Sequence, residues 1–162
     1  MVDAVPVVSN TTPLINLAGV GLLELLPKLY GSITIAEQVL AEYEAKGRPA
    51  DLDLRAASWL TVSTVVIPED LATALDAGEA ATITLAEQLK PRIVLLDERR
   101  GRRIALRRGL PVVGTGSMLV EAKRAGLIVA VAPVLDLMVA QGRYISGQLR
   151  SMLLDSAGET DT

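Results

Sequence analysis

The stretch Ile93-Val94-Leu95-Leu96-Asp97-Glu98-Arg99-Arg100-Gly101-Arg102-Arg103 carries most of the information in this 162-residue chain. A short continuous apolar run reads as a buried parallel strand. It ends in a carboxylate, and arginines follow at once. In open α/β sheets, ligands bind beyond the carboxyl ends of such strands. Asp97 therefore belongs at the functional edge of a sheet, with guanidinium groups beside it. That pairing suits a metal ion and a phosphodiester better than a neutral metabolite.

Working outward, strands and helices alternate. Residues 4–9 read as a first strand, followed by a helix over 12–17 with Thr12 as N-cap and Pro13 at the first helical position. A second amphipathic piece covers 22–30, a strand 32–35 and a helix 37–45, broken by Gly47, Arg48 and Pro49. Residues 51–59 read as helical and 60–67 as a β-branched strand. A helix starts at Pro68-Glu69-Asp70, and Gly78 punctuates before a long helix over 79–89. A strand 93–96, a helix 99–108 and a strand 111–113 come next. Gly114-Thr115-Gly116-Ser117 turns into a helix ending near Gly126, with Thr115 or Ser117 as its cap. The apolar remainder is helical, with a stripe at Ile145, Leu149, Met152 and Leu153. This alternation predicts an α/β fold with a central, mostly parallel sheet flanked by helices in three layers. One domain is expected over residues 1–155, with a flexible acidic tail over 156–162.

Composition narrows the chemistry. The chain has no histidine and no cysteine, which removes disulfides, thiol chemistry, zinc cages and histidine-based triads. Catalysis must use carboxylates, hydroxyls, lysine, arginine, or a hard metal held by oxygen. The net charge is −3, so only a local basic patch could attract nucleic acid. Tyr30, Tyr43, Trp59 and Tyr144 are the only aromatic residues, too few for a base-stacking platform, and Trp59 reads as core. Mean hydropathy is +0.38, which points to a dimer or another tightly bound partner. No apolar run reaches the ~18–20 residues of a membrane span, and the expected location is the cytoplasm.

Each candidate has a bland reading beside the sharp one. Asp97 could start a helix; Glu79 could be an ordinary first-turn acid; Glu42, near the border of an apolar helix face, could simply be solvated. Asn10, with Thr11 and Thr12, could be turn chemistry, or a neutral oxygen ligand. Arg99, Arg100, Arg103 and Arg107 fall on one helical face, flanked by Arg102 and Arg108. So many cations in so short a segment favour phosphate contact over mere solubility, although Arg102 or Arg103 could brace the carboxylates instead. The Gly114–Ser117 stretch lacks the lysine of a phosphate loop and reads as a tight turn.

The order of these pieces resembles the PIN domain, a nuclease fold, in a branch of predicted nucleic-acid-binding proteins. The matching stretches are Val7-Val8-Ser9-Asn10-Thr11-Thr12-Pro13-Leu14-Ile15, Ile35-Ala36-Glu37-Gln38-Val39-Leu40-Ala41-Glu42, Gly78-Glu79-Ala80 with Leu85-Ala86, and Val94 to Arg103. Gly109-Leu110-Pro111-Val112-Val113-Gly114-Thr115-Gly116 and Ala122-Lys123-Arg124-Ala125-Gly126-Leu127-Ile128 complete the series. The resemblance implies an acidic pocket from Asn10, Glu42, Glu79 and Asp97, with Thr11 or Thr115 as a polar wall. It implies Mg²⁺ or Mn²⁺ on Glu42, Glu79 and Asp97, and hydrolysis of single-stranded RNA leaving a 5′-phosphate. Many relatives are VapC-type toxins neutralised by a small antitoxin. The first-strand position usually holds aspartate, and here it is Asn10. That loss of charge should weaken metal binding and sets a rival expectation: a weakly active or inactive module that binds nucleic acid or a partner.

Overall fold

A computed structural model describes residues 5–46 and 53–160. Its five strands are β1 (Val7–Ser9), β2 (Ile33–Ala36), β3 (Leu60–Ser63), β4 (Ile93–Leu95) and β5 (Val112–Val113). They form one sheet in the order β3-β2-β1-β4-β5, with every neighbouring pair parallel. The helices are α1 (Thr11–Gly19), α2 (Leu25–Tyr30), α3 (Glu37–Lys46), α4 (Glu69–Ala74), α5 (Ala77–Leu89), α6 (Arg99–Arg107), α7 (Thr115–Arg124), α8 (Ala132–Ala140) and α9 (Gly147–Ser156).

The three-layer arrangement follows from the pleat of β4. Successive strand residues point to opposite faces. Val94 and Leu96 join a core cluster with Leu71, Leu75, Ile83 and Ala105, from α4, α5 and α6. Leu95 joins the larger cluster built with Leu14, Ile35, Val39, Met118, Leu135 and Leu153. Helix α5 serves both clusters, Ala80 and Ile83 in one and Ala81 and Leu85 in the other, so it is buried almost all round. Trp59 packs at the margin of the larger core, as expected.

Chain order puts the site at one place. From β1 the sheet grows through β2 to β3 on one side, while β4 and β5 lie on the other. The direction of winding reverses between β1 and β4, and such a switch point opens a crevice beyond the strands' carboxyl ends. Ser9 pairs with Leu95, and the Asn10 N–H donates to the Leu95 carbonyl at 2.9 Å. Asn10 and Asp97 therefore leave neighbouring strands at almost the same level.

Several boundaries differ from the sequence reading. Asn10, not Thr12, is the N-cap of α1, so Pro13 lies inside the first turn; the ladder bond to Leu95 ends the strand and leaves no spacer before the helix. The helix expected over 51–59 is a single 3-10 turn, Leu54–Ala56, within the described residues. There Asp53 accepts a hydrogen bond from the Arg55 N–H, and such local side-chain bonds compete with longer helices. The helix over 22–30 shortens to α2, and the strand over 60–67 to β3. Ala4 and the breakers Gly47, Arg48 and Pro49 lie outside the described residues. Gly78 does not punctuate: Asp76 is the N-cap of α5, and Gly78 sits within its first turn. Neither Thr115 nor Ser117 caps α7; the cap position is Gly114.

Residues near the end of the described chain make contacts back to the fold. Lys123 Nζ donates to the Ala157 carbonyl at 2.7 Å and to Glu159 Oε2 at 3.0 Å. Glu159 also accepts from the Val131 and Ala132 N–H groups, capping α8 from a distant part of the chain. Thr162 and Asp161 lie outside the described residues.

Candidate active site at the carboxyl ends of β1 and β4

Asn10 is almost fully buried, and its Oδ1 accepts from Thr82 Oγ1 of α5 at 3.2 Å. Beside it, Thr11 Oγ1 is buried with no hydrogen-bond partner. Glu42, in the last turns of α3, points its Oε2 at the same place. Gly78 explains how α5 approaches so closely. A Cβ there would lie 2.5 Å from Glu42 Oε2, 3.3 Å from Asn10 Oδ1 and 3.4 Å from Thr11 Oγ1. Gly78 thus marks a close approach rather than a turn, one where a side chain would have to push the Glu42 carboxylate aside, and three oxygens from two elements converge on the first turn of α5.

Glu79 follows directly and is buried, at 8% exposure. Its carboxyl is pushed up to about 7, first by burial and then by the charges of Asp76, Glu98 and Glu42. Acids crowded together without a sufficient counter-charge hold protons this way. The counter-charge present is Lys46, whose Nζ bonds Glu42 Oε1 at 2.9 Å. That bond is the main cause of a raised Lys46, with Asp76 and Glu98 adding to it.

Asp97 is held differently. Its Oδ1 accepts from the Thr115 N–H at 2.7 Å, and its Oδ2 from Thr115 Oγ1 at 2.5 Å and Asn16 Nδ2 at 3.2 Å. Asp97 therefore supplies the cap that α7 lacks, anchoring β5's exit to β4. Burial pushes its carboxyl up, against the pull of both Thr115 bonds and of the Arg102 charge. Thr115 is accordingly a brace for Asp97, and Thr11 one of the oxygens packed against Gly78. Arg102 lies across the Gly114 backbone and donates to the Leu96 carbonyl at 3.1 Å.

The structure thus brings Asn10, Thr11, Glu42 and Glu79 together, with Asp97 beyond them and linked through its neighbour. Glu98, passed over by the sequence reading as a candidate ligand, accepts from Thr12 Oγ1 at 2.6 Å and acts electrostatically on both Glu79 and Asp97. Asp76 was legible: Asp76-Ala77-Gly78-Glu79 has the spacing of a capping box, and Asp76 Oδ1 accepts from the Glu79 N–H at 2.8 Å. Lys46 and Asn16 carried no sequence signal, because only the fold brings them to the site.

The arginine-dense helix sorts by partner. Arg102 braces the end of β4, while Arg108 pairs with Glu87 and Asp70. Arg99, Arg100, Arg103 and Arg107 are exposed and have no ion pair or side-chain hydrogen bond among the described residues.

A divalent cation can be tested against these donors. No three carboxylates among the described residues stand close enough to cage an ion ready-made. Mg²⁺ does not need such a cage, since it keeps several waters and takes one or two carboxylates plus substrate phosphate. The orphaned Thr11 hydroxyl, the oxygens of Asn10 and Glu42 packed close against Gly78, and a purely oxygen donor set fit a hard cation. Asn10 Oδ1, Glu42 and Glu79 would hold it, with Asp97 adjoining.

An all-parallel five-stranded sheet flanked by helices, with oxygen donors gathered at its switch point, defines a three-layer α/β class. Residues 6–159 match the PIN domain family, and the chain belongs to it. No curated protein matches the chain. Among the described residues no helix is long and apolar enough to cross a membrane.

Proposed function

We propose that this PIN domain is a Mg²⁺- or Mn²⁺-dependent ribonuclease acting on single-stranded RNA. The observation that carries the reading is the convergence of Asn10 Oδ1, Glu42 Oε2 and an unpartnered Thr11 hydroxyl on Gly78, beside a Glu79 that titrates near neutrality. A divalent cation bound there would acidify water and offset charge on the scissile phosphate. Glu79, whose anion is disfavoured by burial and by the charges of Asp76, Glu98 and Glu42, would be one of the oxygen donors holding the cation, whose charge would relieve that crowding. Asn10 and Thr11 orient the reacting phosphate's surroundings through neutral oxygens. The partnerless Arg99, Arg100, Arg103 and Arg107 hold flanking phosphates. The narrower form of this reading is a toxin restrained by a small antitoxin. A homodimer would use the exposed Leu137, Val139, Tyr144 and Met152 on and between α8 and α9.

The diagnostic substitution is Glu79→Gln. Asp97→Asn would turn an amide towards donors from Thr115 and Asn16, so lost activity could reflect a displaced α7. Glu79 makes no side-chain hydrogen bond among the described residues. Glu79→Gln is expected to cut cleavage about a hundredfold, in line with loss of a carboxylate that holds or orients the cation, while RNA binding in EDTA stays intact. Unaltered cleavage by that variant contradicts the assignment.

A second reading rests on Asn10 and Lys46, which remove one negative charge from the pocket and neutralise another. It makes the chain a binding module with little or no activity. Asn10→Asp discriminates: activity that appears only in the variant supports the module, whereas cleavage already present in the parent chain supports the enzyme.

A further inference from the structure

A cavity of about 520 Å³ opens beside Asp97, between α6, the start of α7 and α9. Its volume lies within the ~300–1,000 Å³ typical of small-ligand sites. Its lining combines two chemistries. Arg99, Arg103 and Leu106 line it from α6, and Leu149 and Leu153 from α9. Neither Arg99 nor Arg103 has a side-chain partner among the described residues, so both guanidinium groups can bind an anion without breaking an ion pair. Arg102 also lines the cavity but is committed to the Leu96 carbonyl. Asp97, at the inner end, has its oxygens engaged by Thr115 and Asn16. The α9 side is firm: a Cβ on Gly116 would lie only 2.5 Å from Leu153 Cδ1, so α9 is seated directly on α7.

A lining that combines two partnerless guanidinium groups with three leucines fits an anion that also carries an apolar body. An inorganic anion would use only the arginines, and an uncharged apolar molecule only the leucines. We propose that this cavity is a nucleotide subsite, taking one nucleotide of the RNA with its phosphate on Arg99 and Arg103 and its base against Leu106, Leu149 and Leu153. The proposal rests on the ribonuclease reading for its ligand, but it can be tested without cleavage. Arg100 and Arg107 do not line the cavity and belong to the outer phosphate track.

The test is calorimetric titration of the protein, in EDTA, with the four nucleoside 5′-monophosphates, the corresponding nucleosides and inorganic phosphate. At least one monophosphate should bind tenfold or more tightly than either its nucleoside or phosphate alone. Arg103→Ala and Leu149→Ser, both at exposed positions, should each weaken it about tenfold without changing the melting temperature. A short single-stranded RNA should displace it. Equal binding of phosphate and nucleotide, an unaffected Leu149→Ser variant, absent binding, or failure of RNA to compete each overturns the subsite. Saturable, RNA-displaceable nucleotide binding in a protein that never cuts RNA would instead remove the ribonuclease reading and leave the subsite standing.

Discussion

Glu79 is the residue whose physical chemistry is most exposed to measurement. Its carboxyl is raised to about 7 by burial and by Asp76, Glu98 and Glu42. The folded protein therefore holds a proton there that the unfolded chain has released between about pH 4.5 and 7. Linkage then makes stability fall as pH rises through that window. In EDTA, Glu79→Gln should raise the melting temperature relative to the parent chain at pH 8, and the gain should vanish below pH 5; chemical or thermal melts across pH check this. A gain independent of pH would mean that Glu79 is not the titrating group. Asn10, Glu79 and Asp97 could be named in the sequence because each sits next to a strand end or a helix start, and Glu42 because it borders an apolar helix face within a stretch that carries the resemblance. Their different roles could not. That Asp97 is bound up in capping α7, whereas Glu79 is left without a partner, depends on Thr115 and Asn16, distant in the chain and brought in only by packing.

At the level of elements, β4 was readable because a short apolar run ending in a charge has few other uses, whereas its register against β1 was not. Helix α9 was harder. Its stripe was expected at Ile145, Leu149, Met152 and Leu153, yet Leu149 and Met152 are exposed while Leu153 and Leu154 are buried. The reason is the notch at Gly116, which accepts Leu153 and fixes the rotation of α9. Gly116→Ala should therefore cost about 1–3 kcal/mol, as overpacking does. In a Leu153→Ala background the same change should cost much less, a coupling that denaturation of the four proteins in the cycle measures. Equal costs in both backgrounds would rule out the contact. Glu159 makes the matching prediction at the other end of α9. Burial alone would raise its carboxyl, but the Val131 and Ala132 N–H groups and Lys123 hold it lower. Its contribution is present at neutral pH and lost on acidification, the opposite sign to Glu79. Glu159→Gln should cost about 1 kcal/mol at pH 7 and progressively less as the pH falls below the ordinary carboxylate range; a cost that does not change with pH would contradict the charge-assisted cap.

For the whole molecule, the net charge of −3 conceals a separation of signs. Acids gather around Gly78 and cations along the outer side of α6. Affinity for single-stranded RNA should fall with salt, and each of Arg99→Ala, Arg100→Ala, Arg103→Ala and Arg107→Ala that removes a phosphate contact should lower the slope of log affinity against log salt by about 0.7. Arg108→Ala, whose charge is already spent on Asp70 and Glu87, should leave the slope unchanged. The fold and the rough position of the site were legible in the order of motifs along the chain. The division of the arginines into bracing, paired and free groups was not, because periodicity reports a face and not its partners. The most direct measurement is incubation of the protein, freed of bound partners, with a mixed panel of single-stranded RNAs in Mg²⁺ or Mn²⁺ and, in parallel, in EDTA. The account predicts cleavage with the metal, none in EDTA, and products ending in a 5′-phosphate. Intact RNA in every metal, from protein that is folded and still binds the RNA, would contradict it and make Asn10 the mark of a binding module.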